Sequence, residues 1–457
     1  MNERKFEVNV YGAGLAGCEA AWQVANRGVK VNLYEMKPHK YTPAHHSPKL
    51  AELVCSNSLR SDRITNGVGL LKEEMLRLGS LIMEAAYATR VPAGSALAVD
   101  RELFSDYITN KIKTHPNITF IEKEAVSVSK DTVSIIATGP LTSDAMADYI
   151  AYELGCGSLH FFDAAAPIVD FSTVNMDVAY FASRYGKGDA DYINCPMTKE
   201  QYDAFYNELI NAKEAELKDF DKAEQKEITV FEGCMPVEVM ARRGYETLTY
   251  GPLKPVGLED PRTGEEYYAV VQLRKENIEG TMYNIVGFQT HLTFPEQKRV
   301  FRMIPGLENA EFMRYGIMHR NTYLNSPGML CPDYSMKENP DIFFAGQMTG
   351  VEGYVESAGS GLVAGINAAL RVLRSEAEGN IIFPETTMLG AMSAYVSRGG
   401  LSGRFTPMNA NFGLVEPLGY KVKGGKVAKY EVVAARALDK IEEYKEIIKN
   451  AFKGDTK

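Results

Sequence analysis

Short apolar runs and one mixed apolar stretch alternate over the first part of the chain. Apolar residues predict a strand over residues 8–11, small and apolar residues predict a helix over about residues 16–26, and a second strand is predicted over residues 29–33. A strand, a helix and a strand in this order form the βαβ unit of α/β proteins. The chain is therefore predicted to open with an α/β, Rossmann-like domain.

Three glycines, Gly12, Gly14 and Gly17, lie in a G-x-G-x-x-G pattern between the first strand and the helix. In dinucleotide-binding units the first glycine makes the tight bend, the second lets the backbone approach a pyrophosphate, and the third lets the helix pack on its strand. Glu35 closes the second strand, where a carboxylate would accept from a ribose hydroxyl. A turn without a ligand would carry these glycines at up to ~1 kcal/mol each. The residues predicted to contact a dinucleotide here are Gly12, Ala13, Gly14, Leu15, Ala16, Gly17 and Glu35.

The elements that follow continue the α/β pattern. Apolar periodicity predicts one amphipathic helix over residues 70–86, and Asp100 marks the start of another helix. Strands are predicted over residues 118–121 and 133–137. The second of these runs into a turn at Gly139 of the kind that lies against the dinucleotide in flavoproteins.

A late strand, residues 341–345, leads into a second glycine-rich turn before a long helix of small residues. The turn carries Gly346, Gln347, Gly350 and Gly353. A helix N-terminus offers free N–H groups and a partial positive charge. In a flavoprotein this turn would stabilise the anionic side of a reduced isoalloxazine ring.

The middle of the chain has a different character. Residues 199–227 are highly charged with helical periodicity, whereas residues 228–292 contain strand-like segments, including TVFEGCMP, ETLTYGP and YYAVVQLR. The predicted organisation is a nucleotide-binding domain over residues 1–187 and 326–457, ending in a C-terminal helix, with an inserted α+β domain over residues 188–325.

Composition excludes several classes of protein. The chain has 457 residues and a net charge of −9, which argues against non-specific binding of nucleic acid by the whole chain. Its six cysteines are scattered without a C-x-x-C pair, so neither a metal site nor a disulfide framework is predicted. No apolar run approaches the ~18 residues of a membrane span, and a cytoplasmic location is expected.

The loop after Glu35 carries side chains that could do chemistry. His45 and His46 are either a hydrogen-bonded surface pair or part of a site. Cys55 lies where an apolar segment meets a polar turn, and the alternative for it is a buried, inert thiol. Loops of this length inside a nucleotide-binding domain are usually functional.

Specific segments along most of the chain resemble one family, the folate- and FAD-dependent tRNA (uracil-5-)-methyltransferases called TrmFO, which are related to the GidA flavoproteins. The resemblance covers about residues 8–414. It rests on the dinucleotide fingerprint and on segments such as TPAHHSPKLAELVCSNSLRSD, VPAGSALAVDRE, IIATGPLTS, FEGCMPVEVMARRG, MHRNTYLNSP and FAGQMTGVEGYVES.

The resemblance implies a GidA-like, two-dinucleotide-type FAD domain and an enzyme that makes 5-methyluridine in the T-loop of tRNA. The carbon would come from 5,10-methylenetetrahydrofolate, and the electrons from NADH or NADPH through FAD. No obligate protein partner is expected. Cys55 and Cys234 would be the two working thiols, and the other cysteines are interpreted as packing residues.

Uracil C5 becomes nucleophilic when a thiolate adds at C6, which requires a thiol in an electropositive setting. Arg242 and Arg243 follow Cys234 closely, so Cys234 is the predicted nucleophile. Cys55 would remove the C5 proton or guard the flavin adduct. The candidate contacts to substrate or RNA are His45, His46, Arg242, Arg243 and Arg320.

Three other functions stay open at this level. The same chemistry could act on a uridine of 23S rRNA, because no segment distinguishes the two RNAs. A GidA-like wobble-uridine modifier would need a partner GTPase, and the two cysteine motifs weigh against it. A flavin- and folate-binding RNA-binding protein without catalysis would have no need for two thiols in turns.

Overall fold

The computed structural model describes most of the chain. The described residues are 6–156, 158–164, 166–186, 189–215, 235–277, 279–316, 318–374, 379–399 and 405–453, with the backbone alone described for 158–164 and 318–322. Cys234 and most of the segment TVFEGCMP lie outside them.

Strands and helices alternate at the start of the chain, strands predominate in the middle, and three helices follow the last strand among the described residues. The strands are β1 (Glu7–Tyr11), β2 (Lys30–Glu35), β3 (Ser58–Ser61), β4 (Arg90–Val91), β5 (Ala96–Val99), β6 (Ile118–Glu122), β7 (Val133–Ile136), β8 (Ser158–Ala164), β9 (Ile168–Asp170), β10 (Tyr180–Ala182), β11 (Tyr192–Met197), β12 (Ala269–Lys275), β13 (Met282–Ile285), β14 (Phe312–Arg314), β15 (Met318–Leu324) and β16 (Ile342–Phe344). The helices are α1 (Leu15–Ala25), α2 (Gly67–Arg77), α3 (Leu81–Ala88), α4 (Arg101–Thr114), α5 (Asp144–Asp148), α6 (Lys199–Asn211), α7 (Val237–Arg242), α8 (Thr247–Tyr250), α9 (Phe294–Phe301), α10 (Tyr354–Leu373), α11 (Met388–Arg398) and α12 (Gly425–Ala451).

A five-stranded parallel sheet forms the centre of the nucleotide-binding part. Its order is β16-β7-β1-β2-β6, and β1 pairs in register with β2 on one side and β7 on the other. The neighbouring strands β16 and β7 are buried at every residue, whereas β2 alternates between buried and less buried positions and β6, at the edge, is mostly not buried. The predicted βαβ unit and the α/β, Rossmann-like fold class are confirmed.

Helices α1 and α10 cross each other closely above this sheet. An added Cβ at Gly361 of α10 would collide with the backbone carbonyl of Ala16 in α1, so only glycine permits this approach. Both helices belong to the larger of the two main hydrophobic cores, which also takes in the buried face of α12. The predicted C-terminal helix is therefore confirmed as part of this core.

The helix predicted over residues 70–86 is wrong as a single element. Gly79 has a φ of 77° and ends the first helical segment, and Ser80 caps a new helix by accepting from the Met83 N–H. The apolar periodicity persists across the break, because α2 and α3 pack on the same core. By contrast, Asp100 caps α4 as predicted, since its carboxylate accepts from the N–H groups of Glu102 and Leu103.

A six-stranded antiparallel sheet forms the second part of the molecule, in the order β10-β11-β12-β13-β9-β14. It has its own hydrophobic core, which includes α6 and α9. YYAVVQLR forms β12 as predicted, whereas the strand predicted for ETLTYGP is wrong, because this segment contains the short helix α8. The predicted helix over 199–227 is confirmed to Asn211, and residues 216–227 lie outside the described part.

An antiparallel two-stranded ribbon, β8 with β15, lies where the chain passes between the two sheets. Strands β9 and β10 already belong to the antiparallel sheet, although they precede residue 188. Across the described residues, no helix combines the length and the apolar character that crossing a membrane requires.

Candidate functional site

The glycine-rich turn between β1 and α1 is shaped by backbone contacts. Gly12 has a φ of 98°, and a Cβ there would lie 2.5 Å from the carbonyl oxygen of Ala137 at the end of β7. A Cβ at Gly17 would collide with the Gly12 carbonyl oxygen. At Gly14, by contrast, a Cβ would meet no described atom within 4 Å. The turn is thus tight at its first and third glycines and open at its second.

The start of α1 faces this open space. Gly14 occupies its N-cap position, and among the described residues no side chain accepts a hydrogen bond from the first N–H groups of the helix. A helix N-terminus in this state carries a partial positive charge and donors for an anion. The arrangement fits a pyrophosphate.

Glu35 lies at the end of β2 beside the same turn. It is buried, its Oε2 accepts from the Ala13 N–H at 2.9 Å, and its Oε1 accepts from the Lys37 N–H at 3.1 Å. Each carboxylate oxygen has a further lone pair. The acid is therefore held in one orientation, beside the cleft that the turn borders, as ribose recognition requires.

An open cleft of about 1100 Å³, solvent included, extends from the glycine turn to the start of α10. It brings together most of the predicted contacts, namely Gly12, Ala13, Gly14, Leu15, Ala16, Glu35, His45, Gly139, Gly346 and Gln347. Lys37, Thr42, Tyr354, Ser357 and the segments 123–125 and 140–143 also line it, and the sequence patterns did not single these out. Gly17 does not line the cleft but packs against the Gly12 carbonyl oxygen of the turn. His46 is exposed and also lies outside the cleft.

The second glycine-rich turn contributes only its first residues to the cleft. The Gly346 N–H donates to Ser360 Oγ at 2.7 Å, and Gln347 Nε2 donates to Glu352 Oε2 at 2.8 Å. Gly350 and Gly353 do not line the cleft. A Cβ at Gly350 would collide with the Phe405 ring, and one at Gly353 would collide with the Glu356 carboxylate.

Cys55 lies in a segment that is fixed by its backbone. Its N–H donates to the Tyr354 hydroxyl at 2.6 Å, and Arg101 Nη2 donates to its carbonyl oxygen at 3.2 Å. Arg314 donates to the carbonyl of the preceding Val54. The thiol is half-buried and interacts electrostatically with both arginines. Two guanidinium groups therefore lie within electrostatic reach of the Cys55 thiol.

The remaining described cysteines are in different settings. Cys18 and Cys195 are fully buried, and burial raises the pKa of each thiol. Burial also raises the pKa of Cys156 to about 11 and that of half-buried Cys331. These thiols stay protonated at neutral pH, as expected of packing residues.

The candidate cationic residues of the inserted part lie in different settings. Arg242 forms an ion pair with Glu214 and donates to the Ile210 carbonyl, so its guanidinium is engaged within the domain. Arg243 is exposed, and Arg320 lies on β15 with its side chain outside the description. Cys234 also lies outside the described residues, so its distance from these arginines stays a prediction.

Sequence patterns missed the charged residues around Cys55. Arg101 links Cys55 to Glu276, whose Oε2 accepts from Arg101 Nε at 2.6 Å. Arg101 follows a helix cap and reads as an ordinary first-turn residue, and Arg314 reads as surface charge. Their partners lie between 46 and 260 positions away along the chain, and local periodicity carries no signal over such distances.

The chain is similar to known proteins in sequence and in fold. The family model described as glucose inhibited division protein A matches residues 7–376. A protein of Acetivibrio thermocellus named methylenetetrahydrofolate–tRNA-(uracil-5-)-methyltransferase TrmFO is 59% identical over 96% of this chain and 98% of its own length. A relative of the same name from Lactobacillus acidophilus is 58% identical over the same shares.

Among solved structures, GidA of Aquifex aeolicus superposes with a TM-score of 0.68 over 98% of this chain and 76% of its own, at 18% identity. That likeness concerns the fold, whereas the sequence identity to the two TrmFO proteins extends over nearly the whole chain. The chain therefore belongs to the TrmFO family, within the wider group that the glucose inhibited division protein A model describes.

Proposed function

We propose that this protein is a folate-dependent tRNA (uracil-5-)-methyltransferase. It transfers a one-carbon unit from 5,10-methylenetetrahydrofolate to C5 of a uridine in the T-loop of tRNA, giving 5-methyluridine. The names of relatives that are 56–59% identical over nearly the whole chain support this activity. The observation in the structure that carries the proposal is the meeting of the dinucleotide cleft and the Cys55 segment at Tyr354, which lines the one and binds the other.

The cleft fits FAD. The open space above Gly14 and the uncapped start of α1 would receive the pyrophosphate, and Glu35 would accept from the ribose. Gly139, Gly346 and Gln347 line the part of the cleft nearer α10. Reduced FAD supplies the electrons that convert a one-carbon unit at the methylene level into a methyl group. NADH or NADPH is the proposed source of those electrons.

The thiols act on the uracil. The Cys234 thiolate adds to C6, and the electron pair of the C5–C6 double bond moves to C5 and the neighbouring carbonyl. After C5 has taken the one-carbon unit, Cys55 removes the C5 proton or guards the flavin. The bond between the one-carbon unit and its donor nitrogen breaks as the C5 proton leaves, which gives a methylene group on C5. A hydride equivalent, which the bound flavin would supply, adds to this methylene carbon as the Cys234 thiolate departs from C6, and the C5–C6 double bond is restored. Arg101 and Arg314 hold the Cys55 segment in place during these steps.

We propose that the inserted domain begins at about residue 166, since β9 and β10 lie in the antiparallel sheet, and that it ends near residue 325. This domain would face the RNA. The T-loop base has to leave its stack to reach the thiols, which costs a few kcal/mol. Exposed cations such as Arg243 and, in this proposal, Arg320 would supply salt-dependent contacts to the phosphates.

The test is nucleoside mass spectrometry on unmodified tRNA and rRNA transcripts incubated with the purified protein, a nicotinamide cofactor and carbon-labelled methylenetetrahydrofolate. Labelled 5-methyluridine in the tRNA T-loop is the expected result. Label in rRNA alone would move the substrate to 23S rRNA. No label from visibly yellow protein would favour a flavin-binding RNA-binding protein without catalysis.

The roles of the thiols are tested separately. Cys234→Ala is expected to abolish the covalent adduct with RNA that contains 5-fluorouridine, because no thiolate remains to add at C6. Cys55→Ala is expected to retain the adduct and lose methylation. Cys195→Ala is the matched control, since Cys195 is buried in the core of the antiparallel sheet and does not line the cleft. An adduct that persists in Cys234→Ala would falsify the assignment.

A further inference from the structure

The Cys55 segment, residues 53–57, is bound by both parts of the molecule. The nucleotide-binding part holds the backbone of Cys55 itself. The Cys55 N–H donates to the Tyr354 hydroxyl at 2.6 Å, and Arg101 Nη2 donates to the Cys55 carbonyl oxygen at 3.2 Å. These two contacts fix the peptide groups on either side of the Cys55 Cα atom.

Two arginines of the antiparallel sheet bind the residues that flank this position. Arg314 of β14 donates to the Val54 carbonyl. Arg274 of β12 donates from Nη2 to Ser56 Oγ at 2.6 Å and from Nε to Asn57 Oδ1 at 3.2 Å. The residue that carries the thiol therefore lies between one neighbour bound by Arg314 and two bound by Arg274.

The register of the antiparallel sheet explains why both arginines reach the same segment. Arg274 on β12 pairs with Asn284 on β13, Asn284 with Ile168 on β9, and Ile168 with Arg314 on β14. The four residues form one row across the sheet. Leu273, the neighbour of Arg274 in β12, is buried in the core of this sheet. Since successive side chains of a strand point to opposite faces, Arg274 points away from that core and towards the Cys55 segment.

The contact between Arg274 and Asn57 is buried. Asn57 is fully buried and Arg274 is 8% exposed. Asn57 Nδ2 donates to the Val99 carbonyl of β5 at 3.0 Å and to the Lys275 carbonyl of β12 at 2.9 Å, while its Oδ1 accepts from Arg274. Hydrogen bonds from a charged donor are among the strong ones. Loss of Arg274 would release the Ser56 hydroxyl from the sheet and leave the Asn57 carboxamide held through its nitrogen alone.

We propose, resting on the proposed function, that Arg274 is a positioning residue for Cys55 and fixes the place of its thiol relative to the antiparallel sheet. In that function the inserted domain carries Cys234 and the contacts to RNA, whereas Cys55 belongs to the nucleotide-binding part. Both thiols have to meet one uracil ring, and a displacement of about 1 Å lowers a rate by roughly 100-fold. Arg274 therefore keeps the Cys55 thiol in register with the domain that holds the base.

The first measurement is the rate at which iodoacetamide alkylates Cys55 in the holoenzyme, followed by mass spectrometry of the peptide that contains it. Arg274→Ala is expected to raise this rate roughly 10-fold, because the half-buried thiol becomes accessible whenever the loosened segment opens. Arg302→Ala is the matched control. Arg302 also donates through Nε and Nη2, but both bonds go to the Ala310 carbonyl within the same part of the molecule. Alkylation of Cys55 should be unchanged in this control.

The second measurement is the kinetics of tRNA methylation by the holoenzyme. Arg274→Ala is expected to lower kcat by roughly 10- to 100-fold, while KM for tRNA and the flavin content change less than about 3-fold. Arg274→Lys retains the charge and can bind one of the two acceptors, so it should restore part of kcat.

A merely structural role for Arg274 would lower the thermal stability of Arg274→Ala and leave the alkylation of Cys55 unchanged, and this result would overturn the inference. Faster alkylation with an unchanged kcat would also overturn it, because the place of the thiol would then not matter to the reaction. If Arg274→Ala does not fold, Ser56→Ala removes the acceptor of Nη2 and should raise alkylation about 3-fold. No rise in that variant refutes the inference. A wild type that does not methylate would refute the proposed function, and alkylation would still decide whether Arg274 holds the thiol.

Discussion

The dinucleotide cleft and the surroundings of the Cys55 segment are formed by different parts of the residues, backbone atoms in the one and charged side chains in the other. The cleft takes its shape from backbone atoms of neighbouring residues, with Gly12, Gly14 and Gly17 deciding where atoms can approach. The surroundings of the Cys55 segment take their polar character from side chains such as Arg101 and Glu276, which are 175 positions apart in the chain. A site made of backbone fails when atoms are added, and a site made of paired charges fails when one charge is removed.

The largest loss of stability is expected at the glycine-rich turn between β1 and α1. Gly17→Ala is expected to destabilise the fold by about 3 kcal/mol or more, because the new methyl group meets the Gly12 carbonyl in a helix that cannot move away. Thermal unfolding of the purified variant measures the loss.

Gly14→Ala is the matched control. Gly14 has a φ of −74°, which alanine adopts, and its Cβ meets no described atom within 4 Å. Stability should change by less than about 1 kcal/mol, while flavin content falls, since the methyl group occupies the space for the pyrophosphate. Equal loss of stability in both variants would contradict the division between a tight and an open position.

The charged site is expected to respond next most strongly. Arg101→Ala leaves Glu276 as a buried carboxylate without its cation and should cost about 3–5 kcal/mol. Combining it with Glu276→Gln should recover part of the loss, because the uncompensated charge disappears. Denaturant unfolding checks both values.

Lys199→Ala serves as the control for loss of an ion pair. Lys199 pairs with Asp203 on the exposed face of α6, and such pairs contribute about 0–1 kcal/mol. If Arg101→Ala loses no more stability than Lys199→Ala, the ion pair between Arg101 and Glu276 does not stabilise the Cys55 segment, contrary to what its geometry indicates.

The two parts of the molecule should also differ in their response to pH. Burial raises the pKa of Glu74, beside α11, to about 8, so the native state holds this proton more tightly than the unfolded chain. Its contribution to the free energy of unfolding therefore decreases as pH rises from about 4.5 to 8, by roughly 4–5 kcal/mol. Glu74→Gln should remove this slope in thermal unfolding at several pH values.

Glu214 of the antiparallel part has the opposite sign. Its contacts with His291 and Arg242 lower its pKa to about 2. The stability it contributes is fully present above its usual pKa and is lost as pH falls towards 2. Glu214→Gln should therefore flatten the acid side of the profile and leave the alkaline side unchanged, and a change on the alkaline side would contradict this assignment.

Sequence patterns predicted the parts of the fold whose causes are local. The βαβ unit, the Asp100 cap and β12 depend on residues within a few positions of each other. The prediction of one helix over residues 70–86 was wrong because Gly79, with its positive φ, interrupts the helix while the apolar periodicity continues on both sides. The strand predicted for ETLTYGP was wrong because Leu248 alone of this short helix is buried while Tyr250 is exposed, and β propensity depends on packing that this segment lacks.

By itself the sequence determined the dinucleotide cleft, because glycine positions, an uncapped helix start and a terminal acid follow one another within 24 residues, from Gly12 to Glu35. It also determined the family, through long specific segments. Only the tertiary structure decided how Arg101, Glu276 and Arg314 surround the Cys55 segment, since these side chains come from separate elements. Whether a charged side chain is buried depends on the elements that pack over it. The local pattern of apolar and polar residues does not show which elements those are.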